Sequence, residues 1–174
     1  MKNLKSYLSA LTLIALLIVA GSAFAQRNSI ANSITTLIRP DVKISLLGTV
    51  TRENKPVDVE KAGNLNPGEI LNWTITSMNA GSAPAQNYKT IGEIPTGTAY
   101  VVSSAKAEGN VNIVYSIDDG KSFSDKPMID QKQPDGSTKK VAAPASMYTQ
   151  IRYEWSEPLS EGKQFSASYK VRVK

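Results

Sequence analysis

The sequence has no cysteine and no histidine among its 174 residues. Without cysteine no disulfide can form, so an exported chain of this composition must draw its stability from packing and strand pairing. Without histidine there is no Ser-His or Cys-His nucleophile pair and no His-ligated zinc site, and any metal is left with oxygen ligands. Aromatic residues are few, at 7%. A strong excess of one charge is missing as well: the formal net charge is +5, too small a balance to argue for a nucleic-acid partner. No apolar run reaches the roughly 20 residues a helix needs to cross a bilayer.

What is present begins at the N-terminus. Met1-Lys2-Asn3-Leu4-Lys5 is followed by the apolar stretch Leu8 to Ala20 and then by Ala23-Phe24-Ala25, ahead of the polar Gln26-Arg27-Asn28. A basic start, an apolar run and a small-x-small site in that order predict a secretory signal peptide over 1–25, cleaved after Ala25. An uncleaved anchor is the alternative, and the shortness of the run argues against it. No cysteine follows the run, which excludes a lipid-anchored lipoprotein. Cleavage would remove Lys2 and Lys5 with no acid, lowering the formal charge from +5 to +3. The remainder has the length of one domain with one core. The expected location is therefore the periplasm, the cell surface or the extracellular space, with no membrane span in the mature chain.

Period-2 alternation runs through five segments and predicts half-buried strands. Val42, Ile44 and Leu46 alternate with Lys43 and Ser45; Leu71, Trp73 and Ile75 alternate with Asn72 and Thr74. Val111, Ile113, Tyr115 and Ile117 form a third row, Ile151, Tyr153 and Trp155 a fourth, and Phe165, Ala167, Tyr169, Val171 and Val173 a fifth. Turn signals separate them at Asn66-Pro67-Gly68, Asn79-Ala80-Gly81, Pro95-Thr96-Gly97, Asp118-Asp119-Gly120 and Glu161-Gly162. Weaker strands are expected near 87–93 and 99–105. The pattern predicts an all-β, antiparallel sandwich of about seven to nine strands over 41–174, with Trp73, Ile75, Tyr115, Tyr153, Trp155 and Tyr169 in its core. Two segments break the rhythm: 26–40, readable as a helix, a linker or an extended arm, and the polar stretch 124–146, a long loop or a hairpin with a flexible tip.

Residues 65–102 also resemble a known family. Leu65-Asn66-Pro67-Gly68-Glu69, the strand Trp73-Thr74-Ile75-Thr76, the Asn79-Ala80-Gly81 turn and Ile94-Pro95-Thr96-Gly97-Thr98-Ala99-Tyr100-Val101 are similar to the repeat domain of bacterial surface proteins called domain of unknown function 11. The ending, from Tyr153-Glu154-Trp155 through Glu161-Gly162 to the last alternating run, looks like that family's ending. The resemblance implies an immunoglobulin-like sandwich on the cell exterior, structural or adhesive, with no catalytic residues to carry over. The chain departs from the family in holding one copy and in carrying the 26–40 and 124–146 segments.

Several residue groups are candidates for chemistry. Ser116-Ile117-Asp118-Asp119-Gly120-Lys121-Ser122-Phe123 reads as an Asp-box hairpin in which Asp118 accepts turn amides and Gly120 takes positive φ. Weak calcium binding by Asp118 and Asp119 is the minority reading, because two adjacent acids supply few of the six to eight oxygens calcium takes. Lys170, Arg172 and Lys174 share one face of the last strand: a solvated or edge-protecting face, or else a patch for an acidic polymer. Tyr88, Tyr100, Tyr115, Tyr148, Tyr153 and Tyr169 with the two tryptophans suggest either core or a sugar-stacking platform. Glu154 and Glu157 are the one pair of carboxylates weighed for glycoside hydrolysis.

Together these features lead us to expect a secreted, non-catalytic structural or interaction module of the bacterial envelope or extracellular matrix. Its partner would be an unknown protein or an envelope polymer, with no cofactor and no nucleic acid. The alternatives are a filament or surface-array subunit, and hence a homo-oligomer, that assembles through the 26–40 arm, and a carbohydrate-binding module.

Overall fold

The computed structural model describes residues 38–174. The expected signal peptide and all but the last three residues of the 26–40 arm lie outside the described residues. From Val42 onward the alternating runs become strands: β1 (Val42–Arg52), β2 (Lys55–Asp58), β3 (Ile70–Asn79), β4 (Lys89–Glu93), β5 (Thr98–Tyr100), β6 (Lys106–Ala107), β7 (Val111–Ser116), β8 (Met128–Lys132), β9 (Thr138–Ala142), β10 (Gln150–Trp155) and β11 (Gln164–Val173). The one helical piece among the described residues is a 3-10 turn at Ala145–Met147. No helix among them is long and apolar enough to cross a membrane.

The pairing is antiparallel throughout. A larger sheet runs β2-β1-β3-β11-β5, with β6 beside β5 on the same flank of β11; a smaller sheet runs β4-β10-β7. Nine strands in two facing sheets make the all-β sandwich that the alternation predicts. The closing strand β11 lies inside the larger sheet between β3 and β5, with Tyr169 opposite Trp73 and Val171 opposite both Leu71 and Tyr100.

The two sheets meet through the inward rows. Ile151, Tyr153 and Trp155 of the smaller sheet pack with Leu71, Ile75, Tyr100, Ala167, Tyr169 and Val171 of the larger one. Ile151 and Val171 are fully shielded from solvent, and each such aliphatic side chain contributes about 1.5–3 kcal/mol by leaving water. Tyrosine hydroxyls then tie sheet to sheet, satisfying polar atoms that would be costly to bury alone. Tyr153 Oη donates to the Ser168 carbonyl at 2.9 Å, and Tyr169 Oη donates to the Glu93 carbonyl. Trp155 stacks on Phe165 with centroids 4.9 Å apart and donates Nε1–H to the Glu108 carbonyl.

The polar stretch 124–146 is a ribbon. β8 and β9 pair only with each other, Ile129 opposite Val141, and the tip closes through Gly136 and Asp135. The ribbon leaves the sandwich at a firm base, where the Ala143 amide donates to the Pro127 carbonyl and Ala143 is buried.

Candidate functional site

Turns lie at 67–68, 96–97, 119–120 and 161–162, whereas Asn79 is the last residue of β3 and Gly81 lies in a bend after it. Gly68 takes φ +89 and donates its amide to Val173, and Gly97 takes φ +84 below the Thr98 to Pro95 bond. Glu69, beside the first of these turns, grips Arg52 through both carboxylate oxygens and accepts the Asn66 amide. Arg52 reaches on to the Ala62 and Asn64 carbonyls, which fastens the loop after β2. The Arg52 guanidinium holds the Glu69 carboxyl below its usual range. Asn79 does more than turn the chain. It is fully buried, its Oδ1 accepts the amides of Asp41 and Gly81, and its Nδ2 donates to the carbonyls of Ala83 and Leu159. One side chain thus joins the start of β1, the loop after β3 and the loop after β10.

The Asp-box hairpin has the expected geometry. Asp118 accepts bonds from Ser116 Oγ and from both the amide and the hydroxyl of Ser122, and Gly120 sits at φ +83. Those Ser122 and Ser116 donors lower the Asp118 carboxyl to about 2. Phe123 packs outward, under the Arg152 guanidinium at 4.0 Å. Both Asp118 oxygens are therefore occupied by the turn itself. Among the described residues no cluster of three or more acids, histidines or cysteines could hold a metal.

Glu154 lies on the outer face of the smaller sheet within reach of three donors: Lys89 Nζ at 2.9 Å, Arg152 at 2.7 Å and Asn112 Nδ2 at 3.1 Å. The Lys89 bond, then that of Asn112, holds its carboxyl below the usual range. A general acid for glycoside hydrolysis needs the opposite shift. The tyrosines proposed as a sugar platform turn largely toward one another. Tyr153, Tyr169 and Tyr100 are buried, and Tyr148 stacks on Tyr100 at 5.7 Å while Tyr115 leans on both. Burial, and then the bond to Tyr100, raises the Tyr115 hydroxyl, so it stays protonated.

Lys170 and Arg172 are exposed on one face of β11, as the alternation requires, and Lys174 is exposed just past its end. The edge-protecting part of that reading is corrected. β11 is flanked on both sides, so its lysines guard no edge. The bare edge of the smaller sheet is β4, and it lies beside the main apolar surface left open by the sandwich. In β1 the even positions face inward, opposite the inward row of β3: Ile44 opposite Ser77, Leu46 opposite Ile75, Gly48 opposite Trp73 and Val50 opposite Leu71. Val50 is buried, yet Ile44 is 61% and Leu46 57% exposed. No strand of the smaller sheet covers them. Leu46, Trp73 and Tyr169 together with Ile91, Gly92 and Glu93 line a cleft of about 420 Å³.

The wall of this cleft carries unused backbone groups. Trp155 donates its amide to the Tyr88 carbonyl and Ile94 donates to Thr149. By antiparallel alternation, even positions of β4 face β10, whereas Lys89, Ile91 and Glu93 point their N–H and C=O groups the other way. Of these, the Glu93 carbonyl is taken by Tyr169.

Sequence reasoning did not single out the glycines that shape this region. A Cβ on Gly48 would stand 2.6 Å from the Trp73 ring, and one on Gly92 would collide with the Tyr169 ring. Each glycine lets an aromatic ring lie across a neighbouring backbone. A glycine inside an alternating run is the available signal, since it marks close approach. Against known proteins, no family model, no curated protein and no solved structure matches the chain.

Proposed function

We propose that the chain is an exported, non-catalytic interaction module of the bacterial cell envelope or extracellular matrix, which binds through sheet surface. One observation carries this reading: an inward-facing apolar row, Ile44 and Leu46, is left uncovered beside a strand edge with free backbone groups. Unpaired edges recruit other chains, and proteins that do not use them cover or charge them. β7, at the opposite end of the same small sheet, is treated in that protective way: Ser124 pairs with Tyr115 along its outer edge. The basic start and Ala-x-Ala site of residues 1–25 support export, and the likeness of residues 65–102 to a surface-protein repeat supports the cell exterior.

The test is fractionation of a bacterium expressing the full chain, followed by N-terminal sequencing of the product. The expected result is a chain starting at Gln26 in the periplasmic, surface or extracellular fraction. A product that keeps Met1 and stays in the cytoplasm overturns the reading.

A further inference from the structure

We propose that the cleft between β4 and the first half of β1 is an acceptor site for one added β-strand, and that its occupant is the segment around Ile30–Ile38 of a second copy of the chain. The inference rests on the module reading above and names its partner.

The shape of the cleft selects a single strand. Beside Ile44 and Leu46 the larger sheet extends past β3 by β1 alone, because β2 pairs only with Thr49 to Arg52, which is room for about one strand spacing of ~4.8 Å. A strand added to β4 would lie over Ile44 and Leu46 and bury them, extending the core that stops at Trp73. Direct pairing of β4 with β4 of another copy does not fit this shape. The partner's own β1 and β2 would project into the space that this copy's β1 and β2 already occupy.

The chemistry of the walls sets what the strand must offer. The edge has the N–H and C=O groups of Lys89 and Ile91 and the N–H of Glu93, which are answered by the main chain of any extended peptide. The floor is apolar, with Leu46 and Trp73 lining the cleft and Ile44 next in the same inward row, so the occupant needs apolar side chains on the face it turns to β1. Past the expected cleavage site and ahead of the described residues, Ile30 and Ile34 share one such face, four residues apart with the polar Asn32 between them, and Ile38, the first described residue, continues it beyond Thr36. The described chain starts at Ile38, itself 62% exposed, four residues ahead of β1. Residues 26–37 can span about 40 Å when extended. That is enough to run along a neighbour's five-residue β4 and remain attached to their own domain. Because donor segment and acceptor cleft lie on different parts of each copy, the contact is head-to-tail and propagates.

The experiment uses the chain from Gln26 onward and three variants, followed by sedimentation velocity across concentration with thermal unfolding as a control. The unaltered chain is expected to form a concentration-dependent series of oligomers. Ile91→Pro removes an edge N–H that β10 does not use, Leu46→Glu charges the floor, and Ile34→Asp charges the donor. Each is expected to weaken association by about tenfold or more, as loss of a central contact does, with the unfolding midpoint unchanged. Mixing Ile34→Asp, whose cleft is intact, with Leu46→Glu, whose donor is intact, is expected to yield a heterodimer that grows no further. A monomeric Gln26 chain at all concentrations overturns the proposal, as does an Ile91→Pro or Ile34→Asp variant that assembles like the unaltered chain. Such failures leave export from the cytoplasm, and with it the module reading, standing.

Discussion

The two flanks of the sandwich are built from the same kinds of residue and finished in opposite ways. On the β7 flank, Tyr100, Tyr115 and Tyr148 pack on one another along a cleft of about 440 Å³, Ser124 pairs along the strand edge, and β7 buries Val114 and Ser116 on its other face. On the β4 flank the core ends at a half-buried Trp73, and two aliphatic side chains of the same inward row lie open. The smaller sheet is three strands wide and the larger five along its main path. Apolar side chains can be hidden only where both layers are present. The difference between the flanks is thus one of width, and an alternating sequence is not enough to bury a strand.

The largest effect is expected between the two flanks, from Tyr153→Ala on the central strand β10. It removes a fully buried ring and its bond to Ser168, and a loss of about 3–5 kcal/mol is expected, as for other large-to-small core changes. A shift in the denaturation midpoint equivalent to less than about 1 kcal/mol would contradict the picture of a filled interior between the sheets at β10. A paired comparison comes next. Gly92→Ala drives a methyl into Tyr169, which is 1% exposed, whereas Gly48→Ala drives one into Trp73, which is only half-buried. Overpacking a core costs about 1–3 kcal/mol, so Gly92→Ala should fall within that range and Gly48→Ala below it. Equal costs would mean that Trp73 is held as tightly as Tyr169.

A smaller effect is expected from acid at the hairpin that follows β7. The Asp118 carboxyl is lowered in the folded chain to about 2, chiefly by the Ser122 hydroxyl and amide, while an unfolded aspartate titrates near ~3.9. A depressed folded-state value means that its contribution is complete above pH ~4 and is lost as pH falls toward about 2. Hydrogen exchange at the Ser122 amide should quicken across that window in the native chain and lose its pH step in Asp118→Asn. The smallest effect belongs to the open flank. Leu46→Glu in the isolated monomer should change stability by no more than about 0.5 kcal/mol, as for surface positions generally. A loss of more than about 2 kcal/mol would show Leu46 to be core and the cleft to be closed in solution.

How much of this was legible in the sequence depended on how local the cause was. Five alternating runs became β1, β3, β7, β10 and β11, because side chains two apart share a face whatever the surroundings. The Asp-box hairpin was readable for the same reason, the bonds of the Ser116 hydroxyl and the Asp118 carboxylate reaching no more than four residues. Asn79 was readable as a turn residue, but its bonds to Asp41 and Leu159 span 38 and 80 positions, and nothing local announces them. The candidate site was the least legible part. Leu46 and Val50 look alike along the chain, yet only Val50, between Leu71 on β3 and Val57 on β2, belongs to the buried cluster.

By itself, the sequence settled the chemistry on offer: no disulfide, no histidine ligand, and strands with one apolar face. The tertiary structure decided which of those faces found a cover, which edge was left bare and where Trp73 came to lie. Strand order and sheet width arise from contacts between residues far apart in the chain, and a period-2 pattern records which side of a strand is apolar without recording what lies opposite it.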